Sequence, residues 1–362
     1  MATILYVTQS IAPFVVGGMQ EVSRRHISYL RGKGHEVVAF HSQMDGPRQG
    51  DIHSGLHHIP WPQFSLRYPG RYPHTLYRLS RLVAEWLPKI KPDIIYAEGP
   101  VVGHIFSIKN RPPIIFHPHG LESLQEKFKI RHIFLKRLIL QHCKKADIVI
   151  SQGGDLDRLL SNNTRVKASC VRYLPNSFDG PLASAKLPPK NRRLLFVGRR
   201  EKRKNLNFLL NICAQYPEIK LDVVGCSAIA EVGENIKFHG EIRDSQRLLK
   251  LYRQAHLLVL PSLAEGMPTV VLESMSQGTP VVANSVGAVM DVVVPGKTGW
   301  LVAVGNRDGM LQALFAGLSL DSYHYQKMSA NCVAAVKHSY SKEVVQDILN
   351  SIVIQEVELP IL

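Results

Sequence analysis

Residues 256–273 read HLLVLPSLAEGMPTVVLE, which contains a short apolar run, a loop and the beginning of a helix. The run HLLVLPS is apolar on both faces, as is typical of a buried parallel strand. A parallel strand must be followed by a crossover, usually helical, and Pro268 suits the first helical turn, where its missing N–H costs nothing. We therefore expect the loop SLAEGM to lie at the carboxyl end of a strand, directly before a helix N-terminus.

The same alternation of apolar runs and helix-like segments occurs in two series along the chain. The first series comprises ILYV (4–7), EVVAF (36–40), DIIYA (93–97), PIIFH (113–117) and DIVIS (147–151). The second comprises LLFVG (194–198), KLDVVG (220–225), IKFHG (236–240), HLLVLPS (256–262) and PVVAN (280–284). This pattern predicts an α/β protein with two Rossmann-like, doubly wound domains that face each other across a cleft.

A segment rich in proline, small and basic residues separates the two series. It reads DGPLASAKLPPKNR and covers residues 179–192, which we interpret as a linker between domains. The predicted domains are then 1–178 and 193–338, and the remaining segment 339–362, which contains all but the first residue of HSYSKEVVQDILNSIVIQEV (338–357), is predicted to form a final helix.

Composition narrows the function classes. The 362 residues include 44 Lys plus Arg against 29 Asp plus Glu, a net charge of +15 that favours anionic partners. Zinc-finger spacings, arginine-rich tails and aromatic RNA-reading motifs are absent from the sequence, which argues against nucleic acid. Five scattered cysteines without a C-x-x-C pair indicate reduced, cytoplasmic usage, and MATILYVTQS reads as a first strand and not as a signal peptide.

The loop before the predicted helix has the properties of an anion site. Backbone N–H groups at a helix N-terminus, with the positive end of the helix dipole behind them, bind phosphate. The residues that we expect to surround a phosphorylated ligand here are Gly266, Met267, Pro268 and Thr269.

Two glutamates flank this predicted phosphate site. Glu265 at the loop is placed to accept hydrogen bonds from a sugar, and Glu273, two turns along the helix, to accept them from a ribose diol. Taken singly, Glu273 is also compatible with a solvated mid-helix residue and Glu265 with a carboxylate that favours the helix dipole. Together with the loop and the proline, they favour a nucleoside diphosphate sugar as the ligand.

At this point the sequence resembles a known family. The spacing E-x7-E with E-G-x-P in EGMPTVVLE is similar to the signature of family 4 retaining glycosyltransferases, which have the GT-B architecture. The resemblance covers nearly the whole chain, and the other segments that carry it are PFVVGGMQEVSRRHISYLRGKGHEV, PPIIFHPHGLES, LPNSFD, LLFVGRREKRKNLNFLL and VGAVMDVVVPGKTGWLV.

The resemblance implies roles for particular residues. Arg199 and Lys204 match the pair that neutralises the donor diphosphate, although Arg200 or Lys202 in the same basic stretch is an alternative. His119 matches a family histidine that points at the donor sugar. The alternative interpretation is that His119 is a structural histidine. His117 lies two residues earlier, and the spacing to the following glycine favours His119. The remaining matches are Gly17 and Gly18 in a Gly-Gly loop close to the ligand, and Asn176, whose other reading is an ordinary turn residue.

The family mechanism implied is front-face substitution without a metal or any other cofactor. The leaving phosphate helps to deprotonate the acceptor, and Glu265 positions the sugar without acting as a nucleophile. Asp155 and Asp157 spell D-L-D, a pattern that also binds metals, but they are predicted to begin a helix, where aspartate is an ordinary cap. The final helix is expected to pack back on the N-terminal domain.

The acceptor is the least determined partner. KFKIRHIFLKRLILQHCKK (127–145) has seven Lys or Arg and no acid, and residues 65–91 are also basic, which favours an anionic lipid or polyprenyl-phosphate acceptor at a membrane surface. A buried helix with basic ends is the alternative for 127–145, because its cations do not collect on one face.

The predicted activity is therefore transfer of a hexose from a nucleoside diphosphate sugar to a glycan or lipid-linked acceptor. We expect a UDP-sugar as donor, with GDP-mannose as the other candidate, and a role in bacterial cell-surface polysaccharide or glycolipid synthesis. The predicted location is cytoplasmic, with peripheral attachment to the inner face of the membrane. A GT-B epimerase or phosphorylase, or a non-catalytic sugar-nucleotide-binding module, are the alternatives.

Overall fold

The computed structural model divides the chain into two units. The first comprises Met1–Gln152, Leu156–Pro175 and Val345–Leu362, and the second comprises Gly153–Asp155 and Asn176–Val344. The residues that the structure describes are 1–8, 11, 18–41, 72–99, 103–119, 130–161, 170–227 and 233–358.

Among the described residues of the first unit, six parallel strands form a sheet in the order β2-β1-β3-β4-β5-β6. The strands are β1 (Thr3–Thr8), β2 (Glu36–His41), β3 (Ile94–Glu98), β4 (Ile114–His117), β5 (Ile148–Ser151) and β6 (Val171–Tyr173). The α-helices described between residues 18 and 161 are α1 (Gly18–Gly32), α2 (Tyr72–Ile90), α3 (Ile130–Lys145) and α4 (Asp155–Ser161).

The described part of the second unit contains a second parallel sheet, in the order β12-β11-β10-β7-β8-β9. Its strands are β7 (Arg193–Val197), β8 (Lys220–Val224), β9 (Ile236–Phe238), β10 (Leu257–Leu260), β11 (Val281–Asn284) and β12 (Gly299–Val302). The helices from here to the C-terminus are α5 (Leu206–Gln215), α6 (Ser245–Gln254), α7 (Thr269–Ser276), α8 (Val289–Val292), α9 (Arg307–Leu318), α10 (Ser322–Ala335) and α11 (Lys342–Glu358).

Burial on both faces explains why the strands are apolar throughout. In β1, Leu5 and Val7 pack into one hydrophobic cluster of the first unit, whereas Ile4 and Tyr6 pack into the cluster on the opposite face. The second sheet likewise lies between two clusters. The prediction of two doubly wound α/β sheets is confirmed.

The order of the strands determines where each sheet can bind a ligand. In a doubly wound sheet, ligands bind beyond the carboxyl ends of the strands where the winding direction reverses. That point lies between β1 and β3 in the first unit and between β7 and β10 in the second. The segments that follow these four strands are therefore the places to search for a site.

The final helix, α11, packs into the core of the first unit. Val345, Leu349, Ile352 and Val353 follow a helical spacing and are buried in the same cluster as Ile4 and Tyr6. At its edge, the Nζ atom of Lys33 lies 2.7 Å from Oδ1 of Asp347. The last helix of the chain thus belongs to the sheet that the first residues begin.

Helix α3 carries much of the basic segment 127–145, and its C-terminal half buries one side. Ile139, His142 and Cys143 are buried, whereas Lys136 and Arg137 are exposed. This favours a core helix with basic residues on its outer side for this half of α3. Residues 65–71 and 127–129 of the predicted basic surface lie outside the described residues, whereas Arg81, Lys89 and Lys91, in α2 and directly after it, are exposed. None of the described helices has the length and apolar character needed to cross a bilayer.

The segment 179–192 is part of the second unit and is anchored there by a buried lysine. The Nζ atom of Lys186 donates hydrogen bonds to the carbonyl oxygens of Arg253 and Ala255, both at 2.7 Å, and to Oγ1 of Thr279 at 2.5 Å. The two carbonyls lie at the C-terminal end of α6, where a helix offers unpaired acceptors and favours a cation. Lys186 therefore holds this segment against the second sheet.

We expect Lys186→Met to destabilise the protein by about 1–3 kcal/mol, because the variant leaves buried carbonyl oxygens without their donor. Chemical denaturation followed by circular dichroism measures the change in the free energy of unfolding. Lys190→Met is the matched control, because Lys190 is exposed in the same segment. Equal stability of the two variants would show that the buried hydrogen bonds of Lys186 contribute nothing net.

Candidate active site

Two loops meet at the reversal point of the second sheet. After β7, Lys202–Lys204 form a single 3-10 turn that ends at Asn205, whose φ of 53° is left-handed. After β10, the backbone N–H of Leu263 donates to the carbonyl oxygen of Arg203 at 2.7 Å. The loop that carries the basic residues is thus bonded directly to the loop that carries Glu265.

Glu265 is the centre of this junction. Its side chain is almost fully buried and forms ion pairs with Nζ of Lys204 at 2.6 Å and with Nη1 of Arg203 at 3.2 Å. Lys204, predicted to contact the diphosphate, and Glu265, predicted to contact the sugar, are therefore in direct contact with each other. A carboxylate has about four acceptor positions, so Glu265 can bind both cations and still accept hydrogen bonds from a hydroxyl.

The structure also separates the basic residues that sequence spacing could not distinguish. Arg199, Arg200 and Lys202 are exposed, and the cations among the described contacts of Glu265 are Arg203 and Lys204. Arg203 and Lys204 are the last two residues of the 3-10 turn, where the backbone of Arg203 is bonded to the loop that carries Glu265. Arg203 was not assigned a role from the sequence.

The loop Glu265–Pro268 is held from behind by its own unit. The side-chain amide of Asn176 donates to the carbonyl oxygen of Met267 at 2.6 Å, and the backbone N–H of Ala288 donates to the carbonyl oxygen of Gly266 at 2.9 Å. A β-carbon at Gly287 would overlap the carbonyl oxygen of Glu265, so only glycine fits there. Asn176, which the sequence also allowed as a turn residue, supports the loop.

One detail of this loop, the position of Pro268, differs from the predictions. Pro268 occupies the position before α7 with extended backbone (φ −74°, ψ 123°), so it precedes the first helical turn and does not lie in it. The Met267 side chain packs in the hydrophobic core with Val271 and Leu272, which leaves its backbone as the part available to a ligand. Thr269 begins α7, and the first amides of a helix lack intrahelical acceptors.

The carboxylate of Glu273, on α7, is held in place by a hydrogen bond and is not freely solvated. Its Oε2 atom accepts a hydrogen bond of 2.7 Å from the hydroxyl of Tyr252, which is fully buried in α6. Burial and the nearby charge of Glu273 raise the pKa of Tyr252 well above its ordinary value, so the hydroxyl remains a donor. Glu273 itself is half-buried. Tyr252 is a functional candidate that sequence reasoning missed.

In the first unit, His119 lies beyond β4 next to a buried carboxylate. It is a left-handed residue with φ 59°, it is 8% exposed, and its Nε2 atom lies 2.8 Å from Oε1 of Glu98. Glu98 ends β3, beside the reversal point of the first sheet. His117, the alternative to His119, is fully buried, and its Nδ1 atom lies 3.0 Å from the Tyr96 hydroxyl. Non-glycine residues in left-handed backbone concentrate at functional sites.

Of the predicted Gly-Gly loop, Gly17 lies outside the described residues. Gly18 is the first residue of α1, and a β-carbon added there would meet no atom within 4 Å. Packing within the described residues therefore does not require a glycine at this position.

The described side chains that lie close enough together to bind a metal are not the aspartates that the sequence suggested. Asp155 and Asp157 lie in the first turn of α4, as expected for helix-starting residues. Among the described residues, the side chains grouped closely enough to bind a cation are His26, Glu98 and His117, whose candidate ligand atoms lie within 4.8 Å of one another.

Comparison with known proteins agrees with this geometry. Residues 182–334 match the family Glycosyl transferases group 1, and residues 16–179 match Glycosyltransferase Family 4. The chain is also 32% identical to the phosphatidyl-myo-inositol mannosyltransferase of Mycolicibacterium smegmatis, over 85% of this chain and 82% of that protein. The chain belongs to glycosyltransferase family 4. Three other curated relatives of this glycosyltransferase are matched over 62%, 71% and 48% of their own lengths.

Solved structures share the fold of this family 4 glycosyltransferase. Sucrose-phosphate synthase from Thermosynechococcus elongatus superimposes with a TM-score of 0.80 at 21% identity, over 98% of this chain and 99% of the other. HepE from Anabaena, solved in complex with UDP-glucose, gives a TM-score of 0.72 at 17% identity, over 98% and 100% of the two chains. The GT-B architecture expected from the resemblance is therefore confirmed.

Proposed function

We propose that this glycosyltransferase transfers a hexose from a UDP-sugar to a glycan or lipid-linked acceptor, with retention of the anomeric configuration. The observation that carries the proposal is the contact of Lys204 and Arg203 with Glu265 at the reversal point of the second sheet. It joins cations suited to a diphosphate to a carboxylate suited to sugar hydroxyls. The solved complex of HepE with UDP-glucose supports uridine as the base, whereas GDP-mannose remains the competing donor.

On the basis of the contacts in the second unit, we propose a separate role in donor binding and reaction for each of these residues. As the bond between the sugar and the diphosphate breaks, negative charge grows on the leaving oxygen, and fixed positive charge there lowers the barrier. Lys204 and Arg203 supply that charge, together with the N-terminal amides of α7. Glu265 accepts hydrogen bonds from the hexose, and Glu273, held by Tyr252, accepts them from the ribose.

The proposed chemical step uses no protein side chain as a nucleophile. The diphosphate leaves the anomeric carbon with its bonding electrons, and the acceptor oxygen bonds to that carbon from the same face. The acceptor proton passes to the leaving phosphate oxygen, so charge and atoms balance. The positive groups around the diphosphate perform the neutralising role that a divalent metal has in other transferases, and we propose that the reaction does not require one.

We propose that the acceptor is a glycan or a lipid-linked molecule that is used in cell-surface synthesis. It would be glycosylated at the cytoplasmic face of the membrane. The net charge of +15 supports an acceptor or membrane surface that is anionic. The name of the mannosyltransferase from Mycolicibacterium smegmatis, which specifies a phosphatidyl-inositol acceptor, supports a lipid. We propose peripheral association with an anionic membrane on this basis.

Thermal stabilisation by a panel of nucleotides and nucleotide sugars tests the donor. A ligand at about 100 times its dissociation constant adds about 2.7 kcal/mol to the free energy of unfolding, which a melting assay detects. We expect the largest shift with UDP and UDP-hexoses, equally with magnesium and with EDTA. A larger shift with GDP-mannose would replace the base, and no shift with any nucleotide would contradict the donor site.

Turnover then separates a transferase from its alternatives. The stabilising donor is incubated with short glycan and polyprenyl-phosphate acceptors, and the product is analysed by proton NMR. A glycoside with the anomeric configuration of the donor supports retaining transfer, and the inverted anomer contradicts it. A free epimerised sugar nucleotide would indicate an epimerase, and binding without any turnover a binding module.

A further inference from the structure

Glu98 is a buried carboxylate in the first unit that the proposed mechanism does not use. It is 1% exposed and ends β3. Its Oε2 atom accepts a hydrogen bond of 2.7 Å from the Tyr6 hydroxyl and another from Ser23. These two donors lie on β1 and α1, so the carboxylate is held from two elements at once.

The second oxygen of Glu98 faces three imidazoles. Oε1 lies 2.8 Å from Nε2 of His119, 3.7 Å from Nδ1 of His117 and 3.8 Å from Nδ1 of His26. Burial alone would raise the pKa of Glu98, but its electrostatic interactions with His119 and His26 and the hydrogen bond from Ser23 outweigh burial and hold that pKa below its ordinary value. Glu98 is therefore an anion, and the imidazole nearest to it is that of His119.

The geometry favours a proton over a metal ion in this cluster. Two ligands of one tetrahedral zinc ion lie about 3.3 Å apart, whereas His26 and His117 are both farther than that from Oε1. The Tyr96 hydroxyl also contacts their Nδ1 atoms, at 3.5 and 3.0 Å. In contrast, the 2.8 Å separation of His119 from Oε1 is that of a hydrogen-bonded pair, although the N–H is not aligned with the oxygen in the structure.

We propose that Glu98 is a positioning residue that keeps the proton of His119 on Nε2 and fixes the orientation of its ring. Nδ1 is then the nitrogen that can accept a hydrogen bond from a sugar hydroxyl. The nitrogen that carries the proton in a neutral imidazole is determined by the partner of the other nitrogen. Left-handed backbone at His119 adds to the constraint, because it limits how the ring can be placed. This inference rests on the proposed transferase function and on the role at the donor sugar that the family resemblance implies for His119.

A double-mutant cycle tests whether Glu98 acts through His119. We expect Glu98→Gln to lower kcat by about 10- to 100-fold, the effect of losing one hydrogen bond to a charged group, with smaller changes in KM for the donor and in the affinity for the free nucleoside diphosphate. His119→Ala should have a similar or larger effect. In the His119→Ala background, Glu98→Gln should then have no further effect on kcat. Additive losses in the double variant would overturn the proposal.

The matched control is Glu36→Gln, the same chemical change at an exposed residue of the same unit. It should retain parental kcat and parental thermal stability. Loss of activity in Glu98→Gln that is accompanied by parental behaviour in Glu36→Gln excludes a general effect of the removed charge.

Nitrogen NMR of labelled histidine gives a test that does not depend on turnover or on the folding of a Glu98 variant. The signals of His119 in the parent protein are identified by their loss in His119→Ala. We expect Nε2 to be protonated, and a neutral ring protonated on Nδ1 would overturn the proposal. If the parent shows this tautomer but transfers no sugar, the proposed function fails while the pairing stands. Stoichiometric zinc in the purified protein, lost together with activity on chelation, would make the cluster a metal site and would also overturn it.

Discussion

Replacing Lys204 by alanine is expected to lower kcat by about 100- to 1000-fold, because the variant removes a fixed positive charge from the place where negative charge develops in the transition state. The loss of donor affinity should be smaller, since in the proposed site Arg203 and the amides of α7 still bind the ground-state diphosphate. Steady-state kinetics with the donor identified by the stabilisation panel separates kcat from KM. A fall in affinity without a fall in kcat would show that Lys204 binds donor and transition state equally.

The contact of the partly buried Lys204 with a buried carboxylate gives a second expected consequence. Its Nζ atom lies 2.6 Å from a carboxylate that is 3% exposed, so removal leaves Glu265 with only the longer contact to Arg203. Breaking a buried ion pair is destabilising because the remaining charge loses its partner. Lys204→Ala should therefore also unfold at a lower temperature than the parent, and saturating donor should not restore the difference.

Lys202→Ala is the matched control for Lys204→Ala. Lys202 lies two residues away in the same 3-10 turn, but its side chain is exposed. We expect parental kcat and parental stability for this variant. If Lys202→Ala is inactive and Lys204→Ala is active, the diphosphate contact belongs to the exposed face of the turn, and the arrangement at Glu265 is only structural.

Replacing Glu273 by alanine should weaken donor binding by about tenfold or more, since a hydrogen bond to a charged group contributes about 1.5–3 kcal/mol. Because the ribose is common to all forms of the nucleotide, affinity for UDP and for the UDP-sugar should fall by the same factor. Isothermal titration calorimetry measures both. Equal affinity in the parent and the variant would remove the ribose assignment.

Tyr252→Phe tests whether the hydrogen bond from Tyr252 is needed to orient the carboxylate of Glu273. The variant removes only the hydroxyl that donates to Glu273 at 2.7 Å, and we expect it to weaken UDP binding in the same direction as Glu273→Ala but by less. Glu218→Ala, at an exposed position of the same unit, should bind UDP like the parent. A Tyr252→Phe variant with full affinity would show that the orientation of Glu273 does not depend on this bond.

Much of this architecture could be predicted from the sequence alone. Runs of Ile and Val that are apolar on both faces identify parallel strands, because both faces of such a sheet are covered. A parallel strand needs a helical crossover, so the segment after HLLVLPS had to contain a loop at the ligand-binding edge of a sheet. The sequence placed Glu273 two turns along the helix, whereas Glu265 lies in the loop before α7 and Glu273 is the fifth residue of that helix, just over one turn from its start. Strands β6 and β12 were missed because neither is a run that is apolar and buried throughout: β6 contains Arg172 and is not buried, and β12 begins with a glycine and is only partly buried.

Other features were decided only by tertiary structure. The choice of Arg203 over Arg200 as a partner of Glu265 depends on a 3-10 turn ended by left-handed Asn205, and consecutive basic residues in a loop carry no periodic signal of direction. The partners Glu98 of His119 and Tyr252 of Glu273 lie about 20 residues away in the sequence on neighbouring elements. The sequence determines local propensities and burial patterns, which act over a few residues. Which polar groups meet is determined by how whole strands and helices pack, because a buried charge is stable only where the packed elements bring it a partner.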